Sequence, residues 1–84
     1  MTKLEEKLLE LGYEQIDILI NHYVKRFCIG VLIHITFDTS NKCEGYVKEL
    51  PLYMFDSQSQ IDNLQKAFNQ LQKDLEVLKE YDNK

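Results

Sequence analysis

A small α+β domain is the fold that this sequence predicts: helix, strand, strand, strand, helix, arranged as a three-stranded antiparallel sheet with both helices on its apolar face. Three observations point there. Thr2-Lys3-Leu4-Glu5 forms a capping box ahead of a leucine-rich helical period; apolar residues between Ile16 and Phe37 recur at every second position; and from Ile61 onward they recur at spacings of three and four.

The first helix starts at the capping box, where the Thr2 hydroxyl accepts from the Glu5 amide and the Glu5 carboxylate reaches back to the Thr2 amide. Leu4, Leu8 and Leu11 share one face, with Leu9 beside it, while Glu5, Glu6 and Glu10 point to water. Gly12 closes the helix in the left-handed conformation, and Tyr13 folds back on Leu8.

From Ile16 the period falls to two. Ile16, Ile18, Ile20, His22 and Val24 alternate with polar or smaller neighbours, as do Phe27, Ile29, Val31, Ile33, Ile35 and Phe37. A hairpin turning at Lys25-Arg26 pairs Ile16 with Ile35, Ile18 with Ile33, Ile20 with Val31 and Val24 with Phe27, gathering the β-branched residues on one face. Lys-Arg is a poor two-residue turn because neither residue favours positive φ, so a longer loop is also compatible. Thr39 to Lys42 is a polar turn. The third strand lies within Glu44 to Tyr53, with either Tyr46 and Leu50 or Val47 and Pro51 facing inward, and Pro51 places it at an edge or ends it.

Ser59-x-x-Asp62 caps the last helix, which runs to about Tyr81 with a seam of Ile61, Leu64, Phe68, Leu71, Leu75 and Leu78. At 1.5 Å per residue it is roughly 36 Å long, more than three short strands can support. Docking its first half leaves Leu75, Leu78 and Tyr81 either covered by the first helix or free as a dimer seam or binding surface. Few complementary charges flank the seam, so a dedicated coiled coil is weakly specified.

At 84 residues, 44% hydrophobic and 29% charged, the chain fits one domain, residues 1–84, that buries roughly 60% of its unfolded surface. The net charge of −4 comes from ten scattered basic and fourteen acidic residues, which argues against direct nucleic-acid binding. The apolar stretch from Phe27 to Phe37 is shorter than the ~20 residues of a membrane span. The acidic, amphipathic start does not resemble a signal peptide, so a cytoplasmic protein is expected. Cys28 and Cys43 lack metal-ligand spacing and sit too far apart on the expected strands to bridge, which fits a reducing compartment with no metal or cofactor.

No catalytic motif is present, so an enzyme is not expected. Asp17 and His34, facing each other across the hairpin, read best as an exposed polar pair. Cys28 and His34 share a face but lie roughly 20 Å apart along the strand, too far for a thiolate–imidazole nucleophile. His22 takes an inward position near a strand end, where a core or boundary histidine outweighs a metal ligand. The outer sheet face carries more: Leu19 opposite Leu32, Tyr23 beside Cys28, and a polar ring of Asp17, Asn21, His34 and Thr36, with Tyr46 or Tyr53 at its border. An apolar and aromatic centre inside a polar rim has the anatomy of a protein-binding patch, although a wet sheet face can carry such residues without a partner.

The segments TKLEEKLLELGYE, Thr2 to Glu14, and IDNLQKAFNQLQKDLEVLKEY, Ile61 to Tyr81, resemble a group of small, functionally uncharacterised proteins encoded by phages and prophages of low-GC Gram-positive bacteria. The order of elements is similar to that of some anti-CRISPR proteins, and this chain is less acidic than those that mimic nucleic-acid charge. With no catalytic constellation and two candidate patches, these phage-like termini lead to the expectation of a non-enzymatic inhibitor or modulator of a host or defence protein, such as a nuclease. The binding residues expected are Leu19, Tyr23, Leu32 and His34 on the sheet, and Leu75, Leu78 and Tyr81 on the helix. The alternative is a homo-oligomeric accessory protein, a homodimer through the C-terminal helix.

Overall fold

The computed structural model describes residues 2–17, 21–28, 30–49 and 57–81. The elements are α1 (Lys3–Glu10), β1 (Glu14–Asp17), β2 (His22–Cys28), β3 (Val31–Phe37), β4 (Cys43–Glu49) and α2 (Ser57–Leu78), with a 3-10 turn at Lys79–Tyr81. The strands form an antiparallel meander in the order β1-β2-β3-β4, and the helices lie on one face of it. The α+β class and two-helix layer are as expected; the sheet has four strands where three were expected.

The difference lies in the first half. Strand β2 runs straight through Lys25 and Arg26, pairing them with Ile33 and Leu32, and the reversal comes beyond Cys28, where Gly30 supplies the positive φ of 83° that a tight turn needs. The pairs centred on Lys25-Arg26 therefore do not form. The expected first strand is instead described as two antiparallel strands, β1 to Asp17 and β2 from His22, with an irregularity between Gln15 and Asp17. This resets the alternation: Tyr23, Lys25 and Phe27 face the helices, while His22, Val24 and Arg26 face away. A one-residue change of phase flips every side chain of a strand. Ile16 lies on the outer side and is 56% exposed, whereas Ile33 and Ile35 are fully buried inside.

α1 is built as its sequence dictates. Glu5 N donates to Thr2 Oγ1 at 3.2 Å and Thr2 N to Glu5 Oε1 at 3.5 Å, while Gly12 (φ 98°) and Tyr13 donate back to Leu9 and Leu8. Leu4 and Leu8 enter a core with Tyr13, Tyr23, Val31, Ile33, Ile35, Ala67, Leu71 and Leu78. The β3–β4 turn is an Asx turn in which Asp38 accepts from Ser40 and Lys42, so those hydrogen bonds, the Ser40 hydroxyl first, hold its carboxyl below the usual range. Of the two inward sets open for the third strand, Val47 faces inward opposite Ile33 and Tyr46 faces outward opposite His34; Leu50, Pro51 and Tyr53 lie outside the described residues.

α2 buries Ala67, Leu71, Asp74 and Leu78, a stripe rotated from the expected seam. Two small residues set that rotation. Ala67 lets the helix approach, and Gly45 on β4 leaves room for Leu71, whose Cδ1 would stand 2.6 Å from any Cβ added there. The helix spans roughly 33 Å against roughly 23 Å for a seven-residue strand. Its last turns are covered, as the first of the two alternatives had it: Leu75 and Tyr81 are half-buried and Leu78 is fully buried in the cluster that contains Leu4 and Leu8, whereas Ile61 and Phe68, expected to dock, are 56% and 52% exposed.

Asp74 enters the core because it has partners there. Its Oδ2 accepts from the Tyr13 hydroxyl at 2.7 Å and from Lys25 Nζ at 2.9 Å, and its Oδ1 accepts from Gln70 at 2.9 Å. Lys25 also donates to the Leu11 carbonyl at 3.1 Å and lies 4.6 Å from the Tyr13 ring centroid. Burial, then the Asp74 hydrogen bond and charge, push the Tyr13 phenol far above its usual value. The cluster ties the α1–β1 connection, β2 and α2 together on the roofed side of the sheet.

Candidate functional site

The opposite side of the sheet carries neither helix. Its surface is set by the strand alternation: Ile16 from β1; His22, Val24 and Arg26 from β2; Leu32, His34 and Thr36 from β3; Glu44, Tyr46 and Lys48 from β4. Ile16, Val24 and Leu32 line a groove of about 450 Å³ bordered by Gly12, Glu14 and Arg26. Tyr46, 50% exposed, stands on the far side of β3.

Between these flanks sits an imidazole pair. His22 Nε2 and His34 Nδ1 are 2.8 Å apart, so one nitrogen donates and the other accepts, and the contact tolerates at most one extra proton. The His34 ring stacks on Tyr46 with centroids 4.6 Å apart and planes 7° from parallel. His34 is 7% exposed, and its buried Nε2 has no hydrogen-bond partner among the described residues. Burial first, then the proximity of His22 and Lys48, lower its pKa from the usual imidazole value, which keeps the ring neutral.

The expected site residues divide. Leu32 and His34 are on the outer face, Leu32 half-buried in the groove and His34 at the centre. Tyr23 is not on that face: it is 1% exposed, turned to the helices, and its hydroxyl donates to Glu5 at 3.3 Å. Leu78 is buried, so of the helix trio only Leu75 and Tyr81 reach the surface, each in part. Leu19 lies outside the described residues. Asp17 is placed opposite His22, and His34 stands opposite Val24, so the Asp17–His34 pair does not form across the ladder. His22, expected inward, joins the outer face. The residues missed were Ile16 and Val24, both assigned to the core by the wrong phase.

Chemically the surface offers stacking, apolar burial and neutral hydrogen bonding. Among the described residues no group of three or more His, Cys, Asp and Glu side chains is placed to hold a metal ion, and no helix is long and apolar enough to cross a membrane. Neither cysteine forms a disulfide. No protein-family model, curated protein or solved structure matches the chain.

Proposed function

We propose that this domain is a non-enzymatic protein-binding module that inhibits or modulates a host or defence protein by docking it on the outer sheet face. The observation that carries the proposal is the exposure of Ile16 and Tyr46 on either side of Leu32 and His34, on a sheet whose other face is already roofed. Burying an apolar centre inside a rim of Glu14, Arg26, Thr36 and Lys48 is how protein interfaces gain affinity and register. The likeness of the two helical segments to phage and prophage proteins supports a target in a Gram-positive host, a CRISPR nuclease being the first to test. Affinity capture from such a lysate, with nuclease inhibition assays in parallel, should yield a target that Ile16→Asp and Leu32→Glu both release. Failure to find a specific target, or a target indifferent to both substitutions, would remove the support.

A second function is self-association, as a homo-oligomeric accessory protein. It is favoured by the exposed Ile61 and Phe68 on α2, which leave one side of a long amphipathic helix uncovered.

A further inference from the structure

Among the described residues, β4 is the last strand of the sheet. It is hydrogen-bonded to β3 on one side, in unbroken register from Cys43 opposite Phe37 to Glu49 opposite Val31. Such an edge presents backbone donors and acceptors outward and invites another strand unless proline, a bulge, charged side chains or a covering helix or loop blunts it; charges favour pairing only where the partner strand matches them. Cys43–Glu49 has no proline and no bulge, and its inward phase is uncharged at Cys43, Gly45 and Val47, with an exposed charge at the strand's last position, Glu49, opposite Val31. The charges sit at the outward positions Glu44 and Lys48 and at the last residue, Glu49.

That order is self-complementary. If a second copy of β4 runs antiparallel with Tyr46 opposite Tyr46, then Glu44 of each copy faces Lys48 of the other, giving two cross-strand ion pairs that flank a tyrosine pair. Neighbouring registers lose this match. Centring on Gly45 sets Lys42 opposite Lys48, and centring on Val47 sets Lys48 opposite Tyr46.

The helix above points to the same occupant. At 100° per residue, Ile61, Phe68 and Leu75 lie within about 40° of one another. They occupy the side of α2 turned away from Asp74, which is held by Lys25 on β2, and toward β4, where Leu75 and Cys43 line a common cleft. The exposed stripe therefore projects past the β4 border. A two-fold axis perpendicular to the sheet keeps all helices on one side. With strands about 4.8 Å apart and α2 seated over β3 and β4, the two α2 helices run antiparallel about 10 Å apart, within reach of ordinary helix packing.

The geometry points to a homodimer formed by antiparallel pairing of β4 with β4 of a second copy, making one eight-stranded sheet and covering Ile61, Phe68 and Leu75 with the neighbouring α2. It gives the self-association function a specific edge and register, and it joins two outer faces into one continuous surface.

Sedimentation equilibrium at tens of micromolar tests it, with folding checked by circular dichroism. The wild type is expected to be a dimer. Glu44→Lys and Lys48→Glu, each replacing two attractive contacts by two repulsive ones, are each expected to weaken the dimer about tenfold or more, and the double charge swap is expected to restore it. A wild-type monomer would overturn both the β4 pairing and self-association. A dimer indifferent to the single reversals yet dissolved by Phe68→Glu would overturn the β4 pairing alone and leave association through α2 standing.

Discussion

Replacing Asp74 by alanine should be among the most damaging single changes in this protein, and the reason is what it leaves behind. Asp74 is 3% exposed and accepts from Tyr13, Lys25 and Gln70. In Asp74→Ala the Lys25 ammonium, whose side chain is only 17% exposed, loses its counter-charge, and the Tyr13 hydroxyl loses its acceptor in the core. Breaking a buried ion pair from one side costs roughly 3–5 kcal/mol, and the residual exposure of Lys25 and its bond to the Leu11 carbonyl place this case near about 3 kcal/mol. For a domain of this size that lowers Tm by about 12–24 °C. Removing both charges in Lys25→Met/Asp74→Leu should recover the part of the loss that comes from the uncompensated ammonium, while the Tyr13 hydroxyl still lacks its acceptor. Urea unfolding of wild type, Lys25→Met, Asp74→Leu and the double variant, followed by circular dichroism, provides the cycle, with Asp74→Ala measured alongside. A loss below about 1 kcal/mol in Asp74→Ala, or a double variant no more stable than it, would refute the reasoning.

Two further outcomes are expected from the sheet. In Gly45→Ala the new Cβ would lie 2.6 Å from Leu71 Cδ1 and 2.8 Å from the His34 carbonyl oxygen; the side-chain end can yield but the backbone cannot. Overpacking of about 1–3 kcal/mol outweighs the entropic gain of roughly 0.4–1 kcal/mol from removing a glycine, so the urea midpoint should fall, and an unchanged or higher midpoint would count against the tight α2–β4 contact. His34 adds a pH dependence: its folded pKa is depressed, so the unfolded chain binds the proton more readily. Its contribution is therefore complete above about pH 6.5, is lost as pH falls from there to the lower folded value, and stops falling below it. His34→Phe keeps the stack on Tyr46 and removes the unpartnered nitrogen, so its stability should vary less across that window; an equally steep loss would assign the dependence elsewhere.

Local signals in the sequence were reliable where the responsible partners are close in the chain. The Thr2–Glu5 box and Gly12 needed only residues within a turn or two and formed as read; the last helix formed too, but it begins at Ser57, so Ser59 lies inside it and not at its cap. The inward phase of Val31, Ile33 and Ile35 was legible for the same reason. The hairpin register was not, because Lys25-Arg26 looks like a polar interruption until Asp74, forty-nine positions away, is seen to neutralise Lys25 inside the fold. Once β2 extends through that pair, Tyr23 moves inward, and Ile16, Val24 and His22 are left on the open face. The rotation of α2 was equally illegible: heptad spacing ranks Phe68 above Ala67, whereas Ala67 is the buried one, on the same stripe as Leu71, which packs over Gly45. Part of the candidate site, Leu32 and His34, could be read from alternation; the imidazole pair could not, since it depends on the shifted register.

Hydroxyl-radical footprinting of the folded protein probes the division between one roofed and one open sheet face most directly. If the helices cover the side carrying Tyr23, Ile33 and Ile35, these residues stay protected while Ile16 and Tyr46 are oxidised readily, with Phe68 protected only under conditions where the dimer forms. Oxidation of Tyr23 and Ile33 with Ile16 and Tyr46 protected would mean that the helices cover the other face, and the docking surface proposed here would not exist.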